Sequence, residues 1–118
     1  MTLTTLVIGD GADRREAVIA AAVDAPATTA VILEGIPSGK SLLEAFTAQG
    51  MPVVRIAPAC MCCTGNLTMR VTLNRLLRNK PARLYIGLAS ATHLPAIRSF
   101  LQSPPYADLL QLAPDVCV

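Results

Sequence analysis

Tryptophan is absent from this sequence of 118 residues, and aromatic residues make up only 3% of it. The core must therefore be aliphatic, built from Val, Ile, Leu and Ala. Charged residues are also sparse, at 15% against 53% hydrophobic. The net charge of +2 is too small to argue for nucleic acid, and no aromatics are interleaved with the basic side chains. No long apolar run is present either. The most apolar stretch, Ala17 to Leu33, is broken by Asp24 and Pro26, whereas a membrane helix needs about 20 uninterrupted apolar residues. No basic segment precedes an apolar one at the start, so no secretory signal is read and the expected compartment is the cytoplasm. There is a single histidine, His93. No Ser-His-Asp set and no paired carboxylates suited to acid–base work can be assembled.

What is abundant is β-branched and aliphatic sequence in short runs. Thr2 to Ile8 reads as a strand closed by Gly9-Asp10-Gly11, and Asp13 starts a helix with Glu16 at capping-box spacing. Thr28 to Leu33 reads as a second strand. A helix opens at Ser38 or Gly39, carries Leu42, Leu43 and Phe46 on one face and ends at Gly50. Pro52 to Ile56 is the third strand. A helix capped by Thr64 or Asn66 follows, with Met69, Leu73, Leu76 and Leu77 on its apolar side. Arg83 to Ala89 is the fourth strand, Leu94 to Leu101 a fourth helix, and Leu112 to Val118 a fifth strand. Strand and helix alternate about four and a half times, which predicts a single domain over residues 1–118. Its expected fold class is α/β, a mostly parallel sheet of about five strands with helices on both faces. The apolar composition is high for a small monomer, so a homodimer is expected to cover part of the surface.

The chemistry-bearing feature is Cys60-Met61-Cys62-Cys63, three thiols within four residues. A chain of this length builds a core without disulfide or metal staples, and a reducing compartment disfavours disulfides. The thiols therefore read as ligands or reactive groups. Cys60, Cys62 and Cys63 can bind a soft metal from one loop: zinc first, with Cu(I) as the alternative. Cys117 and His93 are the weaker candidates for a fourth ligand. Packing as small apolar side chains is the bland alternative. Cys60 and Cys63 also form a C-x-x-C pair before a helix, the pattern of a thiol redox protein.

Phosphate-binding motifs are incomplete. Counting from Gly9, the P-loop pattern G-x-x-x-x-G-K-[ST] meets Arg14, Arg15 and Glu16 where Gly, Lys and Ser/Thr belong. At the second strand Gly39-Lys40-Ser41 are in place, but Glu34 stands where the first glycine belongs and Pro37 removes an amide donor. That segment reads as a turn and helix cap.

Around the cluster, Ala59-Cys60-Met61-Cys62-Cys63-Thr64, Leu67 and the Leu73-Leu76-Leu77 helix resemble the CobW-like GTPases, metal chaperones and metallocofactor-insertion proteins whose motif is Gly-Cys-x-Cys-Cys. Strand Leu84 to Ile86 and the segment through Pro95 match the family's next strand and loop in spacing. The resemblance runs along nearly the whole chain, with the cysteine motif as its specific part. It implies a P-loop NTPase-like three-layer sandwich, a degenerate form of the family's nucleoside-triphosphatase half cut off after about its fifth strand. It also implies a metal site at Cys60, Cys62 and Cys63. The family's acidic residue and Thr-Thr-Gly-like turn are replaced by Gly87-Leu88-Ala89-Ser90-Ala91. Phosphoryl transfer depends on positioning and charge stabilisation, so neither GTP hydrolysis nor a bound nucleotide is expected. The expected function is that of a metal-binding accessory or chaperone-like protein, without enzymatic activity, whose partner is a metal-receiving protein or a GTPase. The alternatives are the thiol redox protein and a non-catalytic, dimerising interaction module.

Overall fold

The computed structural model describes residues 1–35, 42–56, 67–92 and 94–118. Six strands form one sheet: β1 (Thr2–Ile8), β2 (Thr29–Glu34), β3 (Val53–Ile56), β4 (Arg83–Leu88), β5 (Leu110–Leu112) and β6 (Val116–Cys117). The helices are α1 (Ala12–Ala22), α2 (Glu44–Thr47), α3 (Leu67–Leu77) and α4 (Leu94–Leu101). The sheet order is β3-β2-β4-β1-β5, with β6 also pairing β1, and every pairing is parallel. The α/β class with a mostly parallel sheet is thus as expected from the alternation of elements.

Alternation along each strand sorts the core into two layers. Leu6 and Ile8 of β1, Ala30 and Ile32 of β2 and Leu84, Ile86 and Leu88 of β4 face α3 and α4. There they meet Met69, Leu73, Leu76, Ile97 and Leu101. The intervening residues Val7, Val31, Leu33 and Tyr85 face the other way, against Ile19 of α1 and Leu43. Central strands β1, β2 and β4 are sealed on both faces, which is why they read as continuous apolar runs rather than as alternating ones. The apolar spacing in α3 works as the periodicity predicts: Met69, Leu73 and Leu76 are buried. No helix among the described residues is long and apolar enough to cross a membrane.

Three local features depart from the expected elements. Helix α1 begins at Ala12 with Gly11 as its N-cap and no side-chain cap bond, so Asp13 and Glu16 do not form a capping box. Glu16 is 2% exposed and turned into the fold. The last strand is split in two. Leu110–Leu112 pairs with Thr2–Thr4 and Val116–Cys117 pairs with Val7–Ile8. Pro114 lies in the gap; it lacks an N–H for a ladder bond. Of the second helix, the described part is the single turn Glu44–Thr47, with Leu43 buried and Leu42 58% exposed.

Chain direction reverses at the centre of the sheet. From β1 the chain moves through β2 to β3 with α1 and α2 on one face. From β4 it moves past β1 to β5 with α4 on the other. The carboxyl ends of β1 and β4 therefore border the crevice in which doubly wound sheets bind their ligands.

Candidate metal site and the sheet edge that carries it

Cys60, Cys62, Cys63 and His93 lie outside the described residues, as does Gly39-Lys40-Ser41. The residues that flank them are described. Strand β3 ends at Ile56 and α3 starts at Leu67, so the cysteine cluster lies in the β3–α3 connection. His93 falls between β4 and α4. All the strands are parallel, so both connections leave the carboxyl edge of the sheet.

Cys117 is an exposed free thiol on β6, paired with Ile8. Strand β6 borders β1 on one side of the sheet and β3 is the opposite border. Four inter-strand steps separate them, roughly 19 Å at the usual spacing of about 4.8 Å. Among the described residues, no three His, Cys, Asp or Glu side chains gather closely enough to hold a metal ion.

A ligand-type side chain much nearer β3 is Glu34, the last residue of β2, which pairs with Ile56 in the ladder. Its main chain is fixed on both sides: Gly35 N–H donates to Ile56 O at 2.9 Å, and the Glu34 carbonyl accepts from Arg15 Nη2 at 2.8 Å. Its carboxylate, in a residue only 8% exposed, accepts the Ala89 N–H at 2.7 Å. Glu34 thereby joins the ends of β2 and β4 at the crevice. The sequence marks it only as the polar residue that closes a buried strand. The pairing with Ala89 requires β2 and β4 to be neighbours, and that follows from the sheet order alone.

The β1–α1 turn holds a second arrangement that the sequence conceals. Only Gly9, Asp10 and Gly11 separate β1 from α1. Gly9 N–H is engaged by the Leu88 carbonyl at 3.0 Å. A Cβ on Gly9 would come within 2.7 Å of the Val118 carbonyl oxygen, so only glycine lets Val118 pass this close. Arg15, which stands at the position of a P-loop lysine, is 3% exposed. Its guanidinium folds beneath the turn and donates to the carbonyls of Gly9 and Glu34. Gly87 sits beside this side chain, and its missing Cβ makes room for Leu33. A Cβ there would lie 2.9 Å from Leu33 Cδ2, 3.7 Å from Arg15 Nε and 3.8 Å from Arg15 Cδ. Arg15 Nε is buried without a hydrogen-bond partner, and among the described residues no carboxylate forms an ion pair with this side chain.

Glu16, where a P-loop hydroxyl would stand, is held by Arg55 of β3 in a two-pronged pair, with Nη1–Oε2 and Nη2–Oε1 both 3.1 Å. The fork of donors matches the carboxylate geometry and fixes α1 against the edge strand. On the other side of the crevice, Ser90 Oγ lies 2.6 Å from Thr92 Oγ1 and accepts the Thr92 N–H at 3.0 Å. Arg15 and Glu16, two of the three α1 residues at P-loop motif positions, are thus engaged in internal contacts.

The fold and this edge define a doubly wound, parallel α/β domain. The chain matches no protein-family model, no curated protein and no solved structure.

Proposed function

We propose that this chain is a metal-binding accessory protein that holds a soft metal, zinc first, through Cys60, Cys62 and Cys63 and does not hydrolyse GTP. The observation that carries the reading is the position of the three thiols in the connection that leaves the carboxyl end of β3, the edge at which such sheets bind ligands. Thiolates at that spacing suit zinc or Cu(I) better than any hard cation. Three protein ligands leave a coordination position open, which suits metal transfer to a partner.

The surroundings support the rest of the reading. A three-residue turn is too short to wrap a phosphate in backbone N–H groups, and Arg15 points its donors at protein carbonyls. The sheet order disfavours Cys117 as the fourth donor, because β6 lies across the sheet from β3. Glu34, beside Ile56, is better placed. A metal-receiving protein or a GTPase is the kind of partner that this role implies, and the cytoplasm is its compartment.

Metal content after purification under reducing conditions tests the proposal. One equivalent of zinc is expected in the wild-type chain and in Cys117→Ser, and none in the variant with Cys60, Cys62 and Cys63 all changed to Ser. Absence of zinc and copper after reconstitution would overturn it. If the metal-free protein instead showed a reversible Cys60–Cys63 disulfide whose loss in Cys60→Ser abolished activity, the thiol redox reading would replace it. Partner binding that survives the triple substitution would support a simple interaction module.

A further inference from the structure

Helices α3 and α4 and the short 3-10 turn Tyr106–Asp108 enclose an open groove of about 580 Å³. It lies on the α3–α4 layer of the fold. Its floor is aromatic: the Phe100 and Tyr106 rings are 5.0 Å apart and tilted by 46°. Tyr106 is buried, and its hydroxyl donates to Asn74 Oδ1 at 2.8 Å. That bond uses the Asn74 amide oxygen and leaves the amide nitrogen as a donor on a residue that lines the groove. Arg70 spans the groove with its guanidinium 5.7 Å from the centre of the Phe100 ring.

The charge distribution is one-sided. Among the described residues, Arg70 is the sole charged side chain lining the groove, and no acidic residue lines it. Among the described residues Arg70 makes no ion pair. Arg98 of α4 is already paired with Asp115 at 2.6 Å. Packing over an aromatic face orients the guanidinium plane but leaves its N–H fork unused, and that fork matches a carboxylate. Pro104, Pro105 and Ala96 add apolar wall. The volume falls within the usual range for small-molecule sites, about 300–1,000 Å³.

We propose that this groove binds a small molecule that joins a carboxylate to a flat apolar body. The carboxylate pairs with Arg70 and the Asn74 amide nitrogen, and the body lies against Phe100 and the prolines. The inference does not depend on the metal reading, since none of these residues is in the cysteine connection.

Benzoate is the probe, followed by NMR of the 15N-labelled full chain, with benzyl alcohol and inorganic phosphate as controls. Benzoate is expected to shift the Arg70 side chain and the Asn74 and Phe100 amides saturably. Arg70→Met should weaken it by about tenfold or more, as loss of a bidentate charge-assisted contact implies. Arg70→Lys keeps the cation and lacks the fork, so it should fall between the two; it also decides the matter if the methionine variant is poorly folded. The proposal is overturned if benzoate gives no saturable response, or if both Arg70 variants bind it as the wild type does. Equal binding of benzyl alcohol would refute the role of charge, and equal binding of phosphate would refute that of the apolar body.

Discussion

Replacing Arg15 by methionine tests whether the buried guanidinium holds the β1–α1 turn together. Methionine keeps most of the stem that packs over Gly87 but removes the donors that reach the Gly9 and Glu34 carbonyls. A hydrogen bond to a charged group contributes about 1.5–3 kcal/mol, and a buried carbonyl left unpaired costs about 1–3 kcal/mol. Against this stands the desolvation of a guanidinium that is 3% exposed and has no paired carboxylate, which costs several kcal/mol. The two carbonyls lie at the ends of β1 and β2, the strands on either side of β4, and one buried side chain bridges both, so the donors should prevail. A net loss of about 2 kcal/mol is expected for Arg15→Met, and a larger one for Arg15→Ala, which adds a cavity. For a domain of this size the methionine variant should melt about 6–10 °C lower. Chemical denaturation of the metal-free protein and calorimetry measure it. A methionine variant as stable as the wild type, or more so, would show that charge burial outweighs the two bonds and would refute this account of the turn.

Three further outcomes follow from the same crevice and from the α3–α4 face. The Glu16–Arg55 pair has one buried and one 30% exposed side chain, so its coupling energy in a double-mutant cycle of Glu16→Gln and Arg55→Met should be about 1–2 kcal/mol, between the exposed and buried ranges; a value near zero would show that the fork adds nothing. Restoring the motif residues with Arg15→Lys and Glu16→Thr should not produce GTP binding in the presence of magnesium, because the turn stays three residues long; micromolar binding of a fluorescent GTP analogue would contradict this. Burial raises the Tyr106 pKa above its ordinary value, and nearby Arg70 pulls it partly back. The raised folded-state value means that the contribution is fully present below pH about 10, the unfolded value, and is lost as pH rises through the folded one. Stability should therefore fall on the alkaline side, and Tyr106→Phe should flatten that fall while losing about 1 kcal/mol at neutral pH from the bond to Asn74.

The order of strands and helices was open to reading in the sequence because burial on both faces leaves long aliphatic runs, and helices between them keep a 3.6-residue period. Thr2–Ile8, Leu94–Leu101 and the apolar side of α3 were legible for that reason. The cysteine cluster was equally legible, since its chemistry depends on spacing within four residues. The sequence did not disclose the break of the last strand into two. There the pairing of Leu110–Leu112 with β1 competes with the local apolar run, and Pro114 interrupts the ladder. Nor could spacing show that Asp13 and Glu16 make no capping box. Glu16 is drawn inward by Arg55, 39 residues away, a partner supplied by the β2–β3 side of the sheet.

By itself, then, the sequence determined the α/β class, the alternation of strands and helices, and the presence of three thiols at metal-ligand spacing. These rest on local periodicity and on covalent neighbours. Tertiary structure alone decided that β3 and β6 lie on opposite borders of the sheet. It also decided that Glu34 meets Ala89 and that Arg15 closes the turn in which a phosphate would otherwise be sought. Each of those depends on which strands become neighbours, a choice made by the packing of helices on the two faces of the sheet and not by any stretch of chain read alone.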